Sequence, residues 1–183
     1  PESLRRAALT SDTDSTLFTV QDWLFWYCGG IDFSQDGIGV VAAMTFLASS
    51  SITHVLATMS ANIGVEKPKL FDIAMKSEFR FDVFVPTQLG KHYYAFIGCQ
   101  EGNVFDEHEE EIKGVHLKNS NIAKILNDRS HAMMIEIMNT VLRGEKISLL
   151  KYLKEIANIE RMVMSGVERG DNDFLRLSSI KDH

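Results

Sequence analysis

Hydrophobic and polar positions change period several times along the chain. Ala7 to Thr10 and Thr16 to Val20 are short runs, rich in β-branched or apolar residues, on either side of an acidic turn, which is the pattern of a β-hairpin. From Gln21 the chain turns aromatic-rich until Gly29-Gly30 interrupts it. Ile38 to Ile63 then predicts one or two helices, with Ser49-Ser50-Ser51 as the place where they bend. Arg80 to Val85 alternates charged and apolar residues with a period of two, as a half-buried strand does, and Pro86 ends it. Two more strands are expected, Tyr93 to Cys99 after Gly90 and Glu111 to Leu117 after an acidic turn, giving a small antiparallel sheet.

The period lengthens again after Asn119-Ser120-Asn121, which offers N-cap side chains. Ile122, Ile125, Leu126, Met133, Met134, Ile137, Met138, Val141 and Leu142 recur at helical spacing, and Gly144 closes the helix. A second helix is expected from Lys146 to Val167, with Leu149, Leu150, Leu153, Ile156, Ile159 and Val163 on its apolar side. The two should pack as a helical hairpin with Met133, Met134 and Met138 as core between them. The whole pattern predicts an α+β chain, an antiparallel sheet with packed helices followed by a mainly helical part.

With 183 residues, 45% hydrophobic and 24% charged, the chain can bury a core and form one domain or two small abutting ones, which excludes a disordered tail. A net charge of -6 argues against a surface that holds nucleic acid by general positive potential. The distribution changes that picture: Lys113 to Arg161 carries nine Lys or Arg against five Asp or Glu, a net +4, which leaves -10 for the rest. One end can meet phosphates while the other meets metal ions. Cys28 and Cys99 lie far apart without zinc or disulfide spacing, so a reducing, intracellular setting is expected. Apolar stretches such as Trp23 to Tyr27 and Gly37 to Ala48 read as too short or too interrupted to span a bilayer, so no membrane and no signal peptide are expected. His54, His108, His116 and His131 share no ligand spacing and read as surface or satisfied core histidines. The chain starts at Pro1 and enters a strand almost at once, which suggests preceding structure.

The acidic turn Ser11-Asp12-Thr13-Asp14-Ser15 is the candidate chemistry. Two carboxylates one residue apart at a tight connection can reach a common point in front of it. Magnesium keeps several waters and takes one or two protein carboxylates beside substrate phosphates, so Asp12 and Asp14 supply part of a site and another carboxylate must come from elsewhere. A solvated turn is the plain alternative, since Asp and Ser form turns by bonding their own backbone. A helix-loop-helix calcium site is excluded, because Leu17 and Trp23 stand where its Gly and Glu belong. A sugar-nucleotide transferase also holds metal with Asp-X-Asp and stays open on the turn alone.

Leu9-Thr10-Ser11-Asp12-Thr13-Asp14-Ser15-Thr16 resembles the third palm motif of family B DNA polymerases, a Tyr-X-Asp-Thr-Asp-Ser hairpin, with Thr10 in place of the usual Tyr. Leu89-Gly90-Lys91-His92-Tyr93-Tyr94-Ala95 is similar to the family's Lys-Lys-Arg-Tyr-Ala segment, where Lys91 and Tyr94 match while His92 and Tyr93 replace the second Lys and the Arg. Glu101-Gly102 and Glu111-Ile112-Lys113-Gly114-Val115 resemble the strand pair leading into the thumb. The motifs follow in the family's order, and the compact spacing is closest to bacteriophage members.

The resemblance covers nearly the whole chain and implies the carboxy-terminal part of a palm over residues 1–117 and a thumb over 118–183. It further implies nucleotidyl transfer to a primer 3′ end with two Mg2+ ions roughly 3.5–4 Å apart. Asp12 and Asp14 would be the catalytic metal ligands, Asp14 the more direct, with Thr13 and Ser15 supporting the turn. Lys91, Tyr94 and Lys113 would contact DNA, and Lys118, Lys124, Arg129, Lys146, Lys151 and Lys154 would partly line the thumb's DNA face. Implied partners are primer-template DNA, a deoxynucleoside triphosphate and an amino-terminal polymerase portion carrying fingers and the first palm motif, whose carboxylate completes the metal site. The implied place is the cytoplasm of a virus-infected bacterium. A non-catalytic DNA-binding or polymerase-associated module is the alternative, with the hairpin as a relic.

Overall fold

A computed structural model describes residues 8–11, 14–114, 122–171 and 174. It divides into two compact units, Pro1–Arg80 with Gly98–Glu107, and Phe81–Ile97 with His108–His183. The fold is α+β, as the alternation of periods predicts, with two small antiparallel sheets and four helices among the described residues.

In the first unit β1 (Ala8–Ser11) pairs antiparallel with β2 (Thr16–Phe18), with Thr10 opposite Leu17 and Ser11 opposite Thr16. The aromatic run forms a helix, α1 (Gln21–Cys28). It ends at Gly29, whose φ of 77° is a left-handed conformation that costs glycine least, and whose N–H bonds back to the Phe25 carbonyl.

A single helix, α2 (Gln35–Asn62), follows. The Asp32 carboxylate prepares its start, accepting from the Ser34 N–H and the Ser34 hydroxyl, both at 2.8 Å. These bonds hold the Asp32 carboxyl below its usual range. Gly37 sits so close to the Asp32 backbone that a Cβ there would collide with the carbonyl. The three serines do not bend the helix into two. The Ser49 hydroxyl donates to the Phe46 carbonyl at 3.0 Å, so its polar group is satisfied within the same helix.

The helix therefore runs on well past Ala48. Its 28 residues, with a mean hydropathy of 1.6 over an 18-residue window that is 6% buried, are long and apolar enough to cross a membrane by length and composition. The shorter stretch considered in the sequence concealed this, because its boundary was set at the serines. Within the unit, the segment after α2 returns to it: Met75 N–H donates to Thr53 Oγ1 at 2.9 Å, and Phe71 meets the His54 ring edge-on at 5.6 Å.

A three-stranded sheet follows in the order β3 (Phe79–Pro86), β4 (Tyr93–Gln100), β5 (Asn103–Lys113). The first two strands lie where the alternation puts them. β5 starts much earlier than Glu111, so the acidic run Asp106 to Glu110 is strand, not turn. The turn is Glu101-Gly102, where both residues have positive φ, 47° and 85°, as a two-residue hairpin with matching twist requires. The expected end of β5 beyond Gly114 falls outside the described residues.

In the second unit α3 (Lys124–Leu142) covers the sheet. Val83, Tyr94, Phe96 and Met138 form the buried cluster, with Met134, Ile135 and Ile112 against it. Met138 and Met134 thus pack on strands, where the sequence placed them between two helices. The apolar sheet face at Val83, Tyr94 and Phe96 needs cover, and unbranched Met fills its uneven surface. The cap expected at Asn119-Ser120-Asn121 lies outside the described residues. Gly144, at φ 67°, ends the helix as expected. The last helix, α4 (Leu149–Glu168), begins at Ser148, whose hydroxyl oxygen accepts from the Lys151 N–H. Arg129 pairs with Glu155 at 3.4 Å and Lys151 with Glu136 at 3.3 Å, an order that makes α3 and α4 antiparallel neighbours. The helical hairpin is present as predicted.

Candidate functional site

Asp14 lies in the connection between β1 and β2 and is exposed. Pairing of Ser11 with Thr16 brings the strand ends together, which places Asp14 at the tip of the hairpin. The Ser11 hydroxyl donates to the Ser15 carbonyl at 3.3 Å and lies 3.2 Å from Thr16 Oγ1, which closes the base of the turn with short polar side chains. Ser15 itself is exposed. Asp12 and Thr13 lie outside the described residues.

An exposed carboxylate on a two-stranded tip suits a hard divalent cation, which keeps water and phosphate oxygens in its shell and asks little of the protein. Among the described residues no group of three or more His, Cys, Asp or Glu could hold a metal ion. Asp14 is one candidate donor, and the donor set it offers is partial by construction.

Lys91, Tyr94 and Lys113 belong to the second unit. Lys91 is exposed at the β3–β4 connection with φ 62°, a backbone strain for a non-glycine residue, and the loop is tied by Thr87 N–H donating to the His92 carbonyl at 2.9 Å. Lys113 is exposed at the end of β5. The next residue, Gly114, has φ 68° and lies against the His92 ring, so the β5 end packs on the segment that follows Lys91. The structure therefore places the Lys91 turn and the Lys113 strand end beside each other through His92 and Gly114.

Tyr94, expected at the DNA backbone, is only 4% exposed, and its ring belongs to the core under α3. Burial pushes its phenol up, and its hydroxyl has no hydrogen-bond partner among the described residues. The neighbouring Tyr93, noticed in the sequence only as a departure from the motif, has a defined role. Its hydroxyl donates to Glu111 Oε1 at 3.0 Å, and its ring lies 4.8 Å from Phe84 and 6.0 Å from Phe81. Burial, then the hydrogen bond and charge of Glu111, push the Tyr93 phenol up to about 12. A Tyr on one strand with a Glu on its neighbour is a pairing that could have been sought in the sequence, once the register was known.

The basic residues divide. Arg129 and Lys151 are engaged with Glu155 and Glu136, and Lys151 is the first cause of the lowered Glu136 carboxyl. Lys113, Lys124, Lys146 and Lys154 are exposed with no ion-pair partner among the described residues, while Lys118 lies outside them. His108 meets Asp82 at 2.8 Å and His131 meets Glu110 at 2.9 Å, so both are satisfied, whereas His116 is outside the described residues.

The fold and these elements define a mixed α+β chain with an acidic β-hairpin, a helix-covered sheet and a basic helical pair. A family model described as divergent family B DNA polymerase matches residues 1–183, and the chain belongs to that family. Neither the comparison with curated proteins nor that with solved structures gave a match.

Proposed function

We propose that this chain supplies the carboxy-terminal palm, residues 1–117, and the thumb, 118–183, of a DNA-directed DNA polymerase of the bacteriophage kind, acting in the cytoplasm of an infected bacterium. The observation that carries the reading is the exposed Asp14 at the tip of an antiparallel hairpin, in a chain that belongs to a family B polymerase family over its full length.

In this reading Asp12 and Asp14 are ligands for Mg2+, shared with a carboxylate from an amino-terminal portion that also brings the fingers. When bound, the two ions would activate the primer 3′ hydroxyl and stabilise charge on the triphosphate. The chain's own residues position. Thr13 and Ser15 support the turn that carries the two carboxylates. Lys91 and Lys113, at adjoining strand ends, hold the primer-template backbone without reading sequence. Tyr94 fixes the strand between them from its place in the core. The unpaired lysines of α3 and its flanks add salt-dependent affinity for the duplex.

The test is primer extension by this chain combined with a polypeptide that supplies fingers and the first palm motif. Asp14→Ala should abolish extension while leaving duplex binding measurable. Normal extension by that variant would remove Asp14 from the metal site, and duplex binding indifferent to magnesium and to loss of both Asp12 and Asp14 would favour a DNA-binding module without catalysis.

A further inference from the structure

The apolar residues of α4 do not all face its own core. Tyr152 and Gly166 are buried, the latter so tightly that a Cβ would collide with the Phe174 ring. A second apolar row, Leu149, Leu153, Ile156, Glu160, Val163 and Val167, advances in alternating steps of four and three residues. Such spacing lays a straight seam along a helix and suits packing against another helix. Leu149 is 70% exposed, Leu153 53% and Val167 55%, so this seam is open.

Beside the seam, between α3 and α4, lies a cleft of about 670 Å3. Ile122, Leu126 and Ser130 form one wall, and Ile159, Val163 and Met164 the other. The one charged group in its lining is Glu160, which has no ion-pair partner among the described residues. Lys151 lies on the opposite side of the helix from Glu160, and Lys154 about 120° round from it, since each residue turns the helix by about 100°. On α4 the cleft thus lies away from the two lysines assigned to DNA.

We propose that this cleft and seam dock an amphipathic helix of another polypeptide, one whose apolar row carries a single Lys or Arg to pair with Glu160. Burying the seam without a cation would leave a carboxylate desolvated and unpaired. A second copy of this face brings no cation. The seam positions and those flanking it, Leu150, Tyr152, Ala157, Ile159, Met164 and Gly166, contain no basic residue. Parallel self-pairing would also set two Glu160 side chains against each other. Charge complementarity thus selects a different partner, and an anionic duplex is repelled by the same carboxylate. The inference goes beyond the polymerase reading and does not depend on it.

The probe is a labelled 21-residue helical peptide with Leu on its seam and one central Arg, compared by fluorescence anisotropy with the same peptide carrying Glu there. The intact chain should bind the Arg peptide at least about ten-fold more tightly, a difference a partly desolvated ion pair provides. Glu160→Lys should reverse the preference, and Glu160→Gln should remove it while keeping binding. Leu153→Asp should lose both peptides with an unchanged circular dichroism spectrum, because Leu153 is exposed. Equal binding of the two peptides would overturn the proposal. So would sedimentation showing a wild-type dimer that Leu153→Asp dissolves, which would make a second copy the occupant, or displacement of the Arg peptide by duplex DNA.

Discussion

Tyr93 on β4 donates its hydroxyl to Glu111 on β5 at 3.0 Å, joining the strand that follows Lys91 to the strand that leads to Lys113. The two candidate DNA-contacting lysines, one in the β3–β4 connection and one at the end of β5, thus flank neighbouring strands held by a partly buried, charge-assisted bond. Such a bond contributes more than one between neutral groups, because one partner is ionised.

Its pH dependence follows from the raised phenol. The folded chain holds the Tyr93 proton up to about 12, while an unfolded Tyr releases it near 10. Stability from this group is therefore complete below about pH 10 and is lost as the pH rises toward 12. Urea denaturation at pH 9, 10 and 11 should show stability falling across the upper interval. Tyr93→Phe should cost about 1.5–3 kcal/mol at neutral pH, the range for a bond to a charged group, and flatten the alkaline decline. A decline of equal slope in the variant would show that another group governs it.

Met138 is 1% exposed and joins Val83, Tyr94 and Phe96 in the cluster between α3 and the sheet. Met138→Ala should lose about 2–5 kcal/mol, since truncation removes buried surface and leaves a cavity. Leu153→Ala, on the open seam of α4, should change stability by less than about 1 kcal/mol. Denaturant midpoints of the two variants check the contrast, and comparable losses would place Leu153 in a core that the structure does not give it.

Gly114 is required twice over. Its φ of 68° suits glycine, and a Cβ would press on the His92 ring. Gly114→Ala should destabilise by more than about 1 kcal/mol, and His92→Ala in the same chain should recover part of that by clearing the ring. Strict additivity of the two changes in a double-mutant cycle would show that the contact carries no weight.

The hairpins, the helical pair and the terminating Gly144 were legible in the sequence, because each rests on a local period and a local breaker. What was not legible depended on partners distant along the chain. The acidic stretch before Glu111 looked like a turn, yet it pairs as strand, where His108 meets Asp82 and Glu110 meets His131. Local composition cannot show satisfaction by partners on another strand and on α3. The serine run misled in the other direction, since Ser49 bonds within its own helix. In the candidate site, Lys91, Asp14 and Lys113 are exposed, while the burial of Tyr94 follows from α3 covering the sheet, which no motif encodes.

On the proposed polymerase reading, exposure and pairing also predict how the lysines share DNA binding. Each phosphate contact that a Lys makes releases counterions, so the slope of log affinity against log salt shrinks by about 0.9 when the contact is removed. Lys113 is exposed with no ion-pair partner among the described residues, and Lys113→Gln should lower that slope by about this amount and weaken binding alike for unrelated duplex sequences. Lys151 is held by Glu136 at 3.3 Å and is already partly neutralised. Lys151→Gln should therefore move the slope by much less, because a lysine held on Glu136 makes no phosphate contact to lose. Anisotropy of a labelled primer-template across a salt series reads both. If Lys151→Gln reduces the slope as much as Lys113→Gln does, the Glu136 pair opens on DNA binding, and the division between engaged and available lysines does not describe the complex.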